Sequence, residues 1–322
     1  MHLPPLLPIA FASTILGKSS PGCKKDTPSN FPSPGGDSKA LDLPNTDREY
    51  RLYLPESYTS DTATPLYISL HGANRDMDEE ERLSQFSNPQ FNPHGIAVYP
   101  NSQNGYWLSN PKAHTSRPND LDFMYTLLTH LENTLCIDTS RIYAAGKSNG
   151  GGFATVMACN ATVGSKMAAF AAVSGGFYDT DDIDGVGPCE PAEREEGYPF
   201  LEFHGTDDTT SPIDGGGGDD KLPIIEVLEG WAERNGCGRD ARWESNETVH
   251  VDPHVKHARW DCGGKEGIVQ HYREGDWGHC WPSTVPNGDD VVFWKQCQRG
   301  EYVFNATEYI FDFFSEYRLE SD

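Results

Sequence analysis

Apolar residues along the chain recur with two periods, and the alternation between them outlines the fold. Tyr50 to Leu54 alternates apolar and polar positions as a half-exposed strand does, while Pro65 to Leu70, Ile96 to Tyr99 and Arg141 to Ala145 are short continuous apolar runs of the kind that fill a sheet covered on both faces. Ala168 to Val173, Pro199 to His204 and Gly267 to Tyr272 predict further strands. Helical spacing appears over Leu121 to Leu135, Asn149 to Cys159, Ile224 to Asn235 and Tyr302 to Tyr317. Strands separated by helix-length segments predict an α/β fold with a mostly parallel central sheet and helices on both faces. Leu3 to Leu16 is a 14-residue apolar run, too short to span a bilayer and followed by small residues, so residues 1–17 read as a secretory signal peptide. Residues 18–45, rich in Ser, Pro, Gly and Lys without apolar periodicity, read as an extended N-terminal tail, which leaves 46–322 as the folded domain.

Composition narrows the class. Lys and Arg number 25 against 49 Asp and Glu, a formal charge of −24 in 322 residues, which argues against a nucleic acid partner because binding phosphates needs clustered cations. No other segment approaches transmembrane length, so a membrane role is not expected. The eight cysteines form no C-x-x-C pair, which favours structural disulfides over a metal or redox site and places the chain outside the cell. Sequons at Asn160, Asn246 and Asn305 agree with that compartment.

The chemistry centres on Gly146-Lys147-Ser148-Asn149-Gly150, a G-x-S-x-G pattern. It follows a predicted strand and opens a predicted helix, the strand, sharp turn and helix that expose a nucleophilic serine. A serine hydroxyl needs a base, and the base needs an orienting acid; on this architecture the order along the chain is Ser, acid, His. Phe203-His204-Gly205-Thr206-Asp207-Asp208 closes a buried strand with two adjacent acids that spacing alone does not separate. Gly278-His279-Cys280-Trp281-Pro282 then supplies a histidine in a loop. His204 is expected to pack under the acid loop and His271 to be a partly exposed strand residue. For the oxyanion, the N–H of Asn149, the residue after the nucleophile, is one donor, and Leu70-His71-Gly72-Ala73-Asn74, following an early buried strand, offers Ala73 as the second.

With these segments in place, the chain resembles the secreted carbohydrate esterases of family 1, specifically the fungal feruloyl esterases and their poly(3-hydroxybutyrate)-depolymerase-like relatives. The resemblance rests on His71-Gly72, Gly146 to Gly151, His204 to Asp208, Asn235-Gly236-Cys237 and Gly278 to Pro282. It implies an α/β-hydrolase, a catalytic triad of Ser148, Asp208 and His279, and no metal or cofactor. It further implies a substrate-side tryptophan at Trp107, and Trp281 beside the histidine is a second candidate for stacking on a phenolic acyl group. Among disulfides, Cys237 with Cys262 matches a family bridge; Cys136 with Cys159, Cys23 with Cys189 and Cys280 with Cys297 complete the expected set. Lys147 departs from the family, where an aromatic or small residue precedes the serine. The acidic stretches Asp179 to Asp184 and Gly215 to Asp220 look like insertions.

The expected activity is release of hydroxycinnamoyl groups from feruloylated plant cell-wall polysaccharide or oligosaccharide through an acyl-enzyme. Acetylxylan esterase or polyester depolymerase on the same triad is the alternative enzyme, and an inactive hydrolase-fold binding protein is the alternative from another class.

Overall fold

The computed structural model describes residues 18–115, 119–183, 186–217, 220–238, 248–250, 253–290, 297 and 304–320. The expected signal peptide and the sequon at Asn246 lie outside the described residues.

Ten strands form one sheet: β1 (Lys39–Asp42), β2 (Glu49–Tyr53), β3 (Thr64–Leu70), β4 (Ile96–Pro100), β5 (Ile137–Lys147), β6 (Ala169–Val173), β7 (Phe200–Gly205), β8 (Thr248–Val249), β9 (Val255–Cys262) and β10 (Lys265–Glu274), in the order β1-β2-β4-β3-β5-β6-β7-β10-β9-β8. β4, β3, β5, β6, β7 and β10 run parallel, and antiparallel pairs finish both ends. Side-chain alternation sorts the core into two layers. Leu66, Ile68, Ile142 and Ala144 pack with α2 (Asp120–Thr134), α3 (Asn149–Cys159) and α5 (Ile224–Arg234). Tyr143, Ala145 and Ala171 face the other way, against α1 (Met77–Ser84) and α6 (Ala306–Ser315). The expected sheet with helices on both faces is therefore present.

Three expectations need correction. Residues 18–45 are not an extended tail: β1 pairs with β2, Phe31, Leu41 and Leu43 are buried in the core, and Ser20 Oγ donates to the Leu135 carbonyl at 2.6 Å. Isolated apolar residues among Ser, Pro and Gly have no period, so the pattern concealed their burial. The strap is fastened by a Cys23–Cys136 disulfide, and Cys159 pairs with Cys189, which replaces the expected Cys136–Cys159 and Cys23–Cys189 bridges. A bridge between Asn160 and Glu190 brings the second pair together. Cys237–Cys262 and Cys280–Cys297 are as expected. Finally, Asn305 is 1% exposed and caps α6, its Oδ1 accepting from the Thr307 N–H, so that sequon cannot carry a glycan in the folded chain.

Several elements gave no sequence signal, α1 and β9 among them. α1 is almost wholly polar, but Asp76 caps it through the N–H groups of Asp78 and Glu79, and acids fill its first turn, where the helix dipole favours them. β9 lies next to the edge of the sheet and mixes buried and exposed positions.

Candidate active site

The parallel strands end on one edge of the sheet, and Ala73, Ser148, Asp208 and His279 each follow the C-terminal end of one of them, as ligand sites do in α/β sheets. Ser148 leaves β5 at φ 54°, ψ −116°, a conformation that L-residues avoid. Its glycine neighbours make this possible. A Cβ on Gly146 would lie 2.3 Å from the Gly150 backbone, and one on Gly150 would lie 2.0 Å from the Leu70 carbonyl. The turn is pinned by the Ser148 N–H donating to Val173 O at 3.0 Å, while the Ser148 carbonyl accepts from Gly152 and Gly176 at 3.0 and 2.9 Å. Ser148 is half-buried.

Asn149 begins α3, so its N–H is one of the donors that a helix leaves unsatisfied at its positive end. Ala73 lies in the loop after β3. A Cβ on Gly72 would sit 3.5 Å from Ser148 Cβ, so this loop lies against the Ser148 turn, and the Ala73 N–H makes no hydrogen bond among the described residues. His71 orients that peptide. Its Nε2 accepts from the Ser102 N–H at 3.0 Å, so Nδ1 carries the proton and donates to Gly72 O at 2.8 Å. Because a trans peptide points its C=O and N–H in opposite directions, fixing the Gly72 carbonyl fixes the Ala73 N–H. Burial brings the His71 pKa down to about 4, consistent with a neutral ring.

Asp208, not Asp207, faces His279: His279 Nδ1 donates to Asp208 Oδ2 at 2.7 Å. The other carboxylate oxygen accepts from the Thr210 and Ser211 N–H groups, both at 2.8 Å. Burial opposes ionisation of Asp208, but His279, His204 and Lys147 outweigh it and hold its pKa at about 2. Burial lowers the His279 pKa to about 4, with Lys147 adding to the effect and Asp208 opposing it. At neutral pH the imidazole is therefore neutral, with Nδ1 protonated toward Asp208 and Nε2 holding a lone pair. Ser174 Oγ donates to Cys280 O at 2.8 Å, which ties the histidine loop to the residue after Val173, and the Cys280–Cys297 bridge anchors the same loop.

His204 packs under the acid loop as expected. Its two ring nitrogens meet Glu202 Oε1 at 2.8 Å and Ser211 O at 2.7 Å, and it lies 3.4 Å from Asp208 Oδ2. Burial works against its proton, but Glu202, with Asp208 and the Ser211 carbonyl, outweighs burial and raises its pKa. His271, expected to be partly exposed, is buried at 2% with Nδ1 2.8 Å from Glu202 Oε2, because β9 covers β10 on the side away from β7. The spacing of His204 to Asp208 carried the signal for this support; the buried Glu202 between two histidines gave none.

Both tryptophan expectations are corrected. Trp107 and Trp281 are each 0% exposed. The Trp107 indole N–H donates to His71 O at 2.9 Å and its ring stacks on Phe153 at 5.0 Å, while the Trp281 indole N–H donates to Thr307 Oγ1 at 3.0 Å. Neither presents a face to a substrate. Trp107 instead braces the loop that holds Ala73.

Comparison with known proteins follows the same lines. A probable feruloyl esterase C of Aspergillus niger is 25% identical over 237 residues, covering 72% of this chain and 75% of that protein. A probable feruloyl esterase C of Aspergillus terreus is 30% identical over 195 residues, covering 59% of this chain and 63% of that protein, so the match spans a little under two thirds of that relative. No protein-family model matches. Among solved structures, an acetyl xylan esterase from Aspergillus awamori aligns with a TM-score of 0.59 at 18% identity, over 79% of this chain and 97% of that one. An α/β-hydrolase enzyme from a deep-sea metagenome library aligns with a TM-score of 0.53 at 12% identity, over 87% of this chain and 95% of that one. The fold is that of an α/β-hydrolase.

Proposed function

We propose that this chain, a carboxylic ester hydrolase related to the fungal feruloyl esterases, is a secreted serine esterase that releases hydroxycinnamoyl groups from plant cell-wall polysaccharide. Ser148 is the nucleophile, His279 the general base and acid, and Asp208 the group that orients and stabilises the imidazole. Ser148 Oγ attacks the ester carbonyl as its proton passes to His279 Nε2. The tetrahedral oxyanion receives hydrogen bonds from the N–H groups of Ala73 and Asn149. Protonated His279 then gives its proton to the leaving sugar oxygen, and water, activated by the same nitrogen, releases the acid and restores Ser148.

The observation that carries this reading is the 2.7 Å Asp208–His279 pair at the sheet edge where the strained Ser148 turn emerges. The four disulfides support an oxidising compartment. A serine-directed fluorophosphonate labels the wild type and not Ser148→Ala; equal labelling of both moves the nucleophile elsewhere. A second reading, acetylxylan esterase, is favoured by the burial of both expected stacking tryptophans, since a small acyl group needs no aromatic wall. Turnover of methyl ferulate well above that of an acetyl ester decides for the first reading, and the reverse ranking for the second.

A further inference from the structure

The loop that carries Trp107 still reaches the site, through the residue before it. The Gly105 carbonyl accepts from the Asn74 N–H at 2.8 Å, one residue beyond Ala73. On the other side, the Trp107 N–H donates to Asn149 Oδ1 at 2.8 Å. Tyr106 is thus held by backbone between the two segments assigned the oxyanion donors. Two left-handed residues, Asn104 at φ 57° and Gly105 at φ 76°, turn the chain just before it. Tyr106 itself is extended, with φ −133° and ψ 134°. Successive side chains on extended backbone project to opposite sides. Because Trp107 points into the core, Tyr106 points out of it, at the rim of the catalytic edge. Its ring is half-buried and has no hydrogen bond or ring partner among the described residues.

We propose that Tyr106 is the specificity-determining aromatic of this ester site, giving the aromatic ring of the acyl group a face to stack on beside the oxyanion donors. The assignment rests on the esterase reading above and adds to it the side chain that distinguishes a phenolic acyl group from a small one. An aromatic pair contributes a contact beyond the area it buries, and an acetyl group cannot make it. Tyrosine suits the rim because its apolar face can stack while its hydroxyl stays wet.

The test measures kcat/KM for methyl ferulate, whose ring is in the acyl group, and phenyl acetate, whose ring is in the leaving group. Methyl ferulate turnover by the wild type is read first and tests the function on its own. In Tyr106→Ala, the ferulate-to-acetate ratio falls about three- to tenfold, while Tyr106→Phe, which keeps the ring, holds it within about twofold. A wild type inert toward methyl ferulate overturns both the function and this assignment. A wild type that turns it over, with an unchanged ratio in Tyr106→Ala, overturns Tyr106 alone. A fall confined to phenyl acetate places the ring on the leaving-group side and also overturns it, as does equal loss of the ratio in the Phe variant.

Discussion

Asp207 and Asp208 are adjacent, yet their backbones turn the two carboxylates to different tasks. Asp208 is 3% exposed and bonded to His279, whereas Asp207 offers its N–H to Trp277 O and keeps a part-exposed side chain. Asp208→Asn is expected to lower kcat by about 10⁴-fold, as loss of the orienting carboxylate does in serine hydrolases, and Asp207→Asn far less; the opposite ranking in steady-state kinetics removes Asp208 from the triad. The base must be neutral to act, so the acid limb of kcat/KM follows His279, whose pKa burial and Lys147 depress to about 4. Activity is therefore expected to persist at pH 5 and to fall below about 4 as the imidazole is protonated, as the pH profile of kcat/KM would show. Lys147→Met removes the charge that adds to burial in depressing that pKa, and so moves the limb to higher pH; a limb that stays or moves down refutes the assigned influence. Trp107→Ala is expected to cost about 3–5 kcal/mol of stability and to lower ferulate and acetate turnover together, measured by denaturant unfolding and paired kinetics, because it removes a core ring and the brace on His71. The tight turn at Ser148, the helix start at Asn149 and the loop positions of Ala73 and His279 could be read from motif and context because glycines and strand ends constrain them locally. The burial of Trp107 could not, since which side of an extended segment faces the core depends on distant packing partners.

At the scale of elements, legibility followed burial. Strands covered on both faces are continuous apolar runs, and β3, β4, β6 and β7 were located within a residue or two. β1 and α1 were missed because each is stabilised by partners the local sequence does not show. In β1 only Leu41 is buried, and its register comes from pairing Lys39 with Leu52. The strap from Lys18 onward is held chiefly by hydrogen bonds to the end of α2 and the start of β5 and by the Cys23–Cys136 bridge, which closes a loop of 113 residues in sequence separation. A link across so long a loop restricts the unfolded chain strongly in the entropic account. The double variant Cys23→Ala, Cys136→Ala is expected to lose about 2–4 kcal/mol by denaturant unfolding while keeping kcat/KM at low temperature, because the bridge sits at the base of the sheet, away from the catalytic edge. Loss of activity without loss of stability would show that the strap shapes the site.

For the whole molecule, strand order was the least legible property, since it is set by which crossovers fit together and not by any one segment. Charge, in contrast, needs no fold to be read. With a formal charge of −24, a negative field around the site is expected, and at 0.1 M salt the screening length is about 10 Å. The effect on encounter depends on the substrate's own charge. Methyl ferulate is neutral as an ester, so its kcat/KM is expected to be flat between low salt and about 0.15 M. A feruloylated oligosaccharide that carries glucuronate is repelled at low ionic strength, so its kcat/KM rises severalfold over the same range as the repulsion is screened. The released ferulate is an anion, and the same field favours its departure, so product inhibition by ferulate should strengthen as salt is added. Rates measured on both esters across a sodium chloride series check this. Equal salt responses for the neutral and anionic esters would show that cations local to the site, and not the net charge of the molecule, govern approach.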